Sequence, residues 1–389
     1  MQLSKTAAFS RICHLAKNLY NQANYHIRQK FISERYWIRY RELYSLMKKT
    51  DAYRRLPAQT AQQILRLLDK NWKSFFEAIK DWEKYPEKYR GKPGIPRYKA
   101  KSGESIIIFT NQQCCTRAGR LIFPRKTQLS PIKTRILARF RHVRILPRGN
   151  HYILEVVYEV KPVNLMLEKH RIISIDIGLY NLVTVVNNAG LLPWRVKGGV
   201  VKSINQYYNK ERARLCSIAD KQGLMGQTRR LQRLLLKRMN KITDYFHKVS
   251  RRIVDYAIEN DFGRIVIGYN KMWKQHISLG KYTNQNFVNV PFLKLLQQIQ
   301  YKAKLVGVEV CLVDESYTSR VSFLDNEPLD HQTKYLGHRV KRGLFQSSTG
   351  LVINADVNAG YNIGRKAVPE AFKVDRIEGV GLHPYSVTI

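Results

Sequence analysis

Acidic side chains at the ends of apolar segments are the residues of this chain whose types and spacing best suit chemistry. Asp176 closes an isoleucine-rich run, Asp314 and Glu315 follow another apolar run, and Asp356 stands between two asparagines. A carboxylate in such surroundings is costly unless it is paired or bound to a metal. Taken singly, each position also has a structural explanation: a turn after a strand, a solvated strand end, or a helix N-cap.

Together these acids favour a catalytic interpretation, because each marks the start or the end of a predicted α/β element. Carboxylates that a sheet brings together repel one another, and a divalent cation is the usual remedy. Oxygen ligands suit Mg²⁺ or Mn²⁺. Two such ions about 4 Å apart can activate a water and stabilise the leaving oxygen of a phosphodiester. The pattern therefore predicts a metal-dependent nuclease.

The hydrophobic pattern of the second half predicts the elements that would carry these acids. Apolar runs indicate strands, and longer amphipathic segments indicate helices. The strands are expected at 172–177, 182–186, 264–267 and 308–313, and the helices at about 203–260, 291–306 and 354–366. Strands that alternate with helices are typical of an α/β layer fold.

The first half has a different pattern. Residues 8–50 and 58–82 indicate amphipathic helices, and the Gly- and Pro-rich segment 89–98 indicates a linker. Short β-type runs separated by turn residues follow, which predicts a small antiparallel barrel. The first 170 residues carry the denser positive charge, so we expect a domain boundary near 165–171.

The composition restricts the partners. The chain has 389 residues, with 68 Lys and Arg against 29 Asp and Glu, and a formal net charge of +39. So large a charge favours nucleic acid as partner, because each neutralised phosphate releases a counterion. At 44% hydrophobic residues the chain can form cores, which excludes a disordered basic tail. No apolar run of about 18 residues could span a bilayer, and no secretory segment opens the chain, so no membrane partner is expected. Five scattered cysteines indicate a reduced, cytoplasmic protein.

Several blocks of the sequence resemble the TnpB family of transposon-encoded, RNA-guided nucleases, which is related to type V CRISPR effectors and to eukaryotic Fanzor proteins. The blocks follow the family's order along almost the whole chain, so the set is specific although each block alone is weak. They are NLYNQANYHIRQ (18–29), QQILRLLDKNWKSFF (62–76), YRGKPGIPRYK (89–99), ISIDIGLYNLVTV (173–185), DYFHKVSRRIVDYA (244–257), ESYTSR (315–320), GHRVKRGLF (337–345) and INADVNAGYNIGRK (353–366).

The resemblance implies a multidomain α+β protein. A wedge β-barrel domain is expected from residues 1–10 and 90–170, with a helical recognition domain, residues 11–89, inserted into it. Residues 171–389 would form an α/β RuvC-like nuclease domain of RNase H-like fold. A basic lid at about 316–352 would be inserted in that domain.

The resemblance also implies a metal site. Asp176 matches the family's first RuvC aspartate and Asp356 the third. The family's usual second acid ends the strand that here ends at Gly268, and glycine cannot bind metal through a side chain. Part of the family, Fanzor proteins included, supplies this glutamate from a later strand, and Glu315 matches that alternative. Adjacent strand residues point to opposite faces, so only one of Asp314 and Glu315 should face the site. The site that binds Mg²⁺ or Mn²⁺ is thus expected to be Asp176, Glu315 and Asp356.

A second departure from the family concerns zinc. The usual family carries four cysteines between its second and third catalytic motifs, whereas no cysteine lies between Glu315 and Asp356. This segment is rich in Lys and Arg instead. We therefore expect no zinc, and a basic lid that covers the duplex of guide and target.

Further residues are expected to contact nucleic acid. Three in the first helix would read a short duplex motif beside the target. Those in the basic helix 227–252 and in the lid would hold backbone phosphates. In chain order the residues are Tyr20, Tyr25, Arg28, Arg229, Arg230, Arg233, Lys237, Arg238, Arg339, Lys341 and Arg342.

These features predict a guide-RNA-directed DNA endonuclease that hydrolyses phosphodiesters at a D-E-D site. Its partners would be a guide RNA and double-stranded DNA with a short flanking motif. We expect a monomer bound to its RNA, associated with the nucleoid in a bacterial cytoplasm. The last acid is an Asp on a helix, which argues against a transposase that ends its acid set with Glu. Two alternatives stay open: an RNA-guided repressor that has lost cleavage, which Gly268 favours, and a general RNA-binding protein.

Overall fold

The computed structural model describes residues 1–136, 140–224, 226, 228–270, 289–376 and 382–389. These residues form two compact units, Met1–Glu159 and Val160–Ile389. The division lies a few residues before the boundary that the charge distribution predicts. The further division of the first unit into wedge and recognition domains stays a prediction.

The first unit combines long helices with short strands. A single hydrophobic core, which extends from Phe9 to Leu154 in sequence, joins its helices and strands. In the second predicted helix, Leu65, Leu68 and Trp72 are fully buried in that core. The elements are β1 (Gln2–Ser4), α1 (Ala7–Glu34), α2 (Tyr40–Met47), α3 (Asp51–Arg54), α4 (Ala58–Lys84), β2 (Ile107–Thr110), β3 (Cys115–Arg117), β4 (Arg120–Ile122), β5 (Ile132–Lys133), β6 (Phe140–Arg148) and β7 (His151–Tyr158).

The strands of this unit form two antiparallel sheets, in the orders β1-β7-β6-β2 and β3-β4-β5. Both are open in the part of the chain that the structure describes, which differs from the barrel that the sequence predicts. The edge strands β1 and β2 have three and four residues, and no pairing joins them. Short runs separated by turns predict the strands, but they do not predict which edges meet.

The second unit has a mixed sheet with helices on it. Within the described ranges, no helix is long and apolar enough to cross a bilayer. The elements are β8 (Ile172–Asp176), β9 (Asn181–Asn187), β10 (Trp194–Lys197), α5 (Gly199–Lys221), α6 (Arg229–Glu259), β11 (Arg264–Gly268), α7 (Phe292–Leu305), β12 (Glu309–Val313), β13 (His338–Lys341), β14 (Leu344–Gln346), β15 (Val352–Asn354), α8 (Ala355–Ala367) and β16 (Tyr385–Ser386).

The strand order of the main sheet is β12-β11-β8-β9-β10-β16. β8 to β10 are antiparallel neighbours, whereas β11 and β12 run parallel to β8. Gly268 pairs with Val313, so the prediction that the later acidic strand lies beside the strand ending at Gly268 is confirmed. Because parallel strands end at one edge, residues after β8, β11 and β12 come together.

Both faces of this sheet are covered. Ile173 and Ile175 belong to one core with α6 and α7, and Ile172 belongs to a second core with α8. This alternation follows from the two-residue period of a strand. α8 lies close to the sheet because Gly360 has no side chain: a Cβ there would be 3.2 Å from Val186. The carbonyl of Gly360 accepts a hydrogen bond from Ser174 Oγ at 2.7 Å.

Candidate catalytic site

The three predicted acids come from three elements that meet at one edge of the sheet. Asp176 is the last residue of β8, Glu315 lies two residues beyond β12, and Asp356 is in the first turn of α8. α8 packs against both β8 and β12. The structure therefore brings together residues that are far apart in the sequence.

The electrostatics of Asp176 show that the charges of the other two carboxyl groups act on it. Burial raises the pKa of Asp176 well above its usual value of 3.8, and the charges of Asp356 and Glu315 raise it further. Arg339 opposes this change in pKa. A site that crowds three acids in this way favours the arrival of positive charge.

Asp356 is held by two asparagines. Asn354 is the N-cap of α8, and its Oδ1 accepts hydrogen bonds from the backbone N–H groups of Asp356 (3.1 Å) and Val357 (3.2 Å). Asn181 Nδ2 donates to Asp356 Oδ2 at 2.5 Å. Sequence reasoning missed Asn181, although its position as the first residue of the strand after Asp176 is a usable signal.

Glu315 begins a tight turn whose hydrogen bonds go to its backbone. Its carbonyl accepts from the Thr318 N–H (3.2 Å) and from Thr318 Oγ1 (2.8 Å). A Cβ added to Gly268 would lie 3.5 Å from the Glu315 Cβ. The Glu315 side chain thus starts beside the place where a side chain at residue 268 would start.

Asp314 points elsewhere. Its side chain is 61% exposed, and it forms a long ion pair with Lys366, with 4.0 Å between Oδ2 and Nζ. Asp314 does not contribute to the shifted pKa of Asp176, whereas Glu315 does. This arrangement is the one expected for neighbouring residues at the end of a strand.

The donor set suits a hard divalent cation. It consists of carboxylates with a neighbouring amide, and Mg²⁺ accepts such oxygen ligands while keeping several waters. Among the described residues, no three His, Cys, Asp or Glu side chains already form a group close enough to hold a metal ion. The raised pKa of Asp176 is the observation that fits a cation here, since a cation would stabilise the buried charge and relieve the repulsion from Asp356 and Glu315.

This electrostatic strain predicts a gain in stability from Asp176→Asn. A raised pKa means that the fold disfavours the ionised carboxyl, so stability falls as pH rises from the usual carboxyl range through the raised pKa. In metal-free buffer at pH 7 the variant should melt at a higher temperature than the wild type, and below about pH 4 the difference should vanish. Mg²⁺ should stabilise the wild type more than the variant. Calorimetry with Asp314→Asn as control tests this, and a less stable Asp176→Asn would contradict it.

The packing around Gly268 predicts that a glutamate at residue 268 cannot replace Glu315. A Cβ at residue 268 would lie 2.5 Å from Ile363 Cδ1. In a Glu315→Ala background, Gly268→Glu should leave cleavage about 10²-fold below the wild type, since a displacement of about 1 Å can cost that much. Adding Ile363→Ala should recover at least part of the rate. Ile363→Ala alone controls for the cavity that this substitution creates. Full activity of the Glu315→Ala/Gly268→Glu variant would contradict the prediction.

The segment predicted as a lid is a folded insert anchored on α8. It includes an antiparallel sheet in the order β13-β14-β15. Asn358 and Asn362, both fully buried, donate to the Val321 carbonyl at 2.9 and 2.8 Å. Arg365 donates to the Glu327 carbonyl at 2.7 Å. Sequence reasoning missed these anchors, whose signal is polar residues spaced by three and four on an otherwise apolar helix.

The candidates in the first helix differ in exposure. Tyr20 is buried at 4% exposure, and its hydroxyl accepts a hydrogen bond from Asn71 Nδ2 at 3.1 Å. Tyr25 is 52% exposed. Arg28 donates to the Pro96 carbonyl at 2.9 Å. Tyr25 is therefore the residue of this set with a ring open to solvent.

The candidates in the basic helix and the insert are mostly exposed. Residue 227, where the helix is predicted to begin, lies outside the described residues, and α6 starts at Arg229. Arg238 differs from the others, because it donates to Asn205 Oδ1 at 2.7 Å and to the Asn289 carbonyl at 2.6 Å. Burial lowers the pKa of its guanidinium. The exposed members are Arg229, Arg230, Arg233, Lys237, Arg339, Lys341 and Arg342.

Two family models match this chain, one after the other. Residues 155–274 match OrfB_IS605, described as a probable transposase. Residues 292–363 match the TNB domain of Cas12f1-like proteins. The first range contains Asp176 and Gly268, and the second contains Glu315 and Asp356.

Curated relatives agree with these models. The CRISPR-associated endodeoxyribonuclease Cas12f1 of Sulfoacidibacillus thermotolerans is 26% identical over 237 residues, which is 58% of this chain and 52% of that protein. The match thus spans about half the length of that relative. The TnpB-like protein ORF457 of Acidianus two-tailed virus is 24% identical over 397 residues, covering 92% of this chain and 83% of that protein.

Solved structures agree on the fold. A Cas12f1–sgRNA–target DNA complex matches with a TM-score of 0.55 and 14% identity, over 91% of this chain and 82% of that one. The mini-RNA-guided endonuclease CRISPR-Cas_phi3 matches with a TM-score of 0.50 and 9% identity, over 94% of this chain and 91% of that one. These matches show the fold alone. Two family models match consecutive parts of the chain, and a TnpB-like relative matches nearly its whole length. The resemblance to the TnpB family that was noted in the sequence is therefore confirmed.

Proposed function

We propose that this protein is a guide-RNA-directed DNA endonuclease that hydrolyses phosphodiesters at Asp176, Glu315 and Asp356. The observation that supports this most is that the charges of Glu315 and Asp356 both act on Asp176, from elements far apart in the sequence. Similarity to the TnpB family and to an endodeoxyribonuclease supports the reaction class. The similar Cas12f1 structure in complex with sgRNA and target DNA supports the partners.

The roles of the residues follow from their contacts. Asp176, Glu315 and Asp356 would hold Mg²⁺ or Mn²⁺, and such ions supply a water nucleophile and stabilise the leaving oxygen. Asn181 orients the Asp356 carboxylate through its hydrogen bond. Arg339 offsets part of the acidic charge and lies in an exposed strand that phosphates can reach. The positive charge of the chain would bind guide and target through their backbones.

The experiment is cleavage of a plasmid target by the protein bound to its guide RNA. We expect cuts that require Mg²⁺ or Mn²⁺, a matching guide and a short motif beside the target. Omission of the guide, a scrambled target or EDTA should each abolish them. Salt-dependent RNA binding without any dependence on target sequence would instead identify a general RNA-binding protein.

The second candidate is an RNA-guided repressor without cleavage. Gly268 favours it, since the usual position of the middle acid has no side chain. Guide-dependent binding of the target with no cutting in Mg²⁺ or Mn²⁺ would support this candidate. The probable transposase of the family description would instead join DNA ends, and a strand-joining assay on the same target distinguishes it.

A further inference from the structure

A tyrosine beside the carboxylates carries a cation over each face of its ring. Lys202 Nζ and Arg342 Cζ each lie 3.1 Å from the centroid of the Tyr180 ring. An atom this close to the centroid must lie near the ring normal, because an in-plane position would overlap the ring carbons. Two such atoms cannot share a face, so the ring separates two cations by about 6 Å, a distance at which like charges still repel at a protein surface.

Neither cation forms an ion pair with an acid in the part of the chain that the structure describes. Burial and the charge of Arg342 lower the pKa of Lys202, so its charged form is disfavoured where it stands. Tyr180 is 43% exposed, so solvent and ligands reach the group. An anion that enters between the cations would remove their repulsion.

Backbone hydrogen bonds fix the segments that carry these side chains. The Tyr180 carbonyl accepts from the Gly198 N–H at 2.7 Å, at the start of the helix that carries Lys202. Gly198 has to be glycine here, since a Cβ would overlap the Leu179 carbonyl. The carbonyl of Gly343, next to Arg342, accepts from the Ala355 N–H at 3.0 Å. Backbone hydrogen bonds therefore fix the framework of segments that carries the two cations.

The same framework places the group beside the acids. Asn181 follows Tyr180 directly and donates to Asp356. Ala355, which bonds the turn next to Arg342, directly precedes Asp356. A DNA strand with one phosphodiester at the acids would bring a neighbouring phosphate to the two cations. A phosphate diester matches both their charge and the donors of a guanidinium.

We propose that Lys202 and Arg342 bind a backbone phosphate next to the scissile one in the strand that is cut, and that Tyr180 separates the two cations until this phosphate arrives. The proposal rests on the nuclease function proposed above. It assigns a role to Lys202 and Tyr180, and it gives Arg342 a defined ligand. Once the phosphate is bound, the faces of Tyr180 are released and can stack on a base of the same strand.

The test is a scan of target DNA in which one linkage at a time is a neutral methylphosphonate. The scan compares the wild type with Lys202→Gln/Arg342→Gln, each bound to guide RNA. At one linkage the methylphosphonate should lower the wild-type cleavage rate by about tenfold, as expected for loss of a charged hydrogen bond. The double variant should lose a similar factor on normal DNA, and the same methylphosphonate should cost it less than about twofold, because the contact is already gone.

A further double variant serves as the control. Lys210→Gln/Arg212→Gln removes the same charge from exposed positions of the same helix and should keep the wild-type rate and the methylphosphonate sensitivity. Cleavage by the Lys202/Arg342 double variant at the wild-type rate or faster would overturn the proposal. The proposal would also fail if, at every linkage, the loss from the methylphosphonate were the same in the double variant as in the wild type.

The same scan is repeated with a second readout, the dissociation constant of target DNA measured in EDTA. This readout does not depend on cleavage. If the wild type binds but does not cut, coupling of one linkage to Lys202 and Arg342 in the dissociation constant would uphold the phosphate site, while the nuclease function fails. If neither readout shows coupling, the phosphate site fails, whatever the cleavage activity.

Discussion

Glu315→Gln is expected to lower the rate of target cleavage by about 10²–10³-fold, the range seen when one group that stabilises transition-state charge is removed. Binding of the target should stay within about twofold of the wild type, since the guide reads the target by base pairing. The substitution leaves the turn intact, because Thr318 bonds the Glu315 carbonyl and not its carboxylate. The loss would therefore report chemistry at the carboxyl.

The neighbouring acid provides a matched control. Asp314→Asn removes one carboxylate charge at the adjacent position, but that side chain is 61% exposed and 4.0 Å from Lys366. Exposed ion pairs contribute little, so cleavage should change by less than about twofold. The measurement is single-turnover cleavage with target affinity determined in parallel. Equal losses in the two variants, or wild-type cleavage by Glu315→Gln, would show that the middle acid is not Glu315.

The sheet of the second unit could be predicted to a large extent from sequence. Apolar runs such as 172–177 and 308–313 are long enough to indicate strands, and a helix between two neighbouring strands is typical of parallel pairing. The sheets of the first unit are harder to predict, because strands of two or three residues do not specify their partners. Whether the sheets close into a barrel depends on edge pairing, which has no local signal in the sequence.

The acids of the site are visible in the sequence because a carboxylate is unusual at the end of an apolar strand. The groups that act on them are not visible in this way. Asn181, Tyr180 and Lys202 are ordinary residues for a turn or a helix, and only the fold places them near Asp356 or near each other. Arg339 was expected to contact nucleic acid, but its effect on the pKa of Asp176 could not be read from spacing.

Asn362→Ala is expected to lower the free energy of unfolding of the second unit by about 3 kcal/mol, because it leaves buried polar groups unpaired at about 1–3 kcal/mol each. Asn362 Nδ2 donates to the carbonyls of Thr318 (3.0 Å) and Val321 (2.8 Å), and its Oδ1 accepts from Arg365 at 2.9 Å. The Val321 carbonyl keeps a second donor in Asn358, so the groups that lose a hydrogen bond without replacement are the Thr318 carbonyl and the Arg365 guanidinium. Denaturant unfolding measures it.

The same variant should also lower cleavage by about 10–100-fold, the range for residues that orient metal-binding groups through an intermediate contact. Asn362 holds Thr318, and Thr318 holds the Glu315 carbonyl, so loosening the first contact releases the turn that positions the carboxylate.

Asn326→Gly is the control: it removes an exposed acceptor from the same Arg365 and suits a backbone φ of 46°. It should cost less than about 1 kcal/mol and leave cleavage unchanged. A stable Asn362→Ala protein with reduced cleavage would still support the positioning role, whereas unchanged cleavage would show that the insert does not position Glu315.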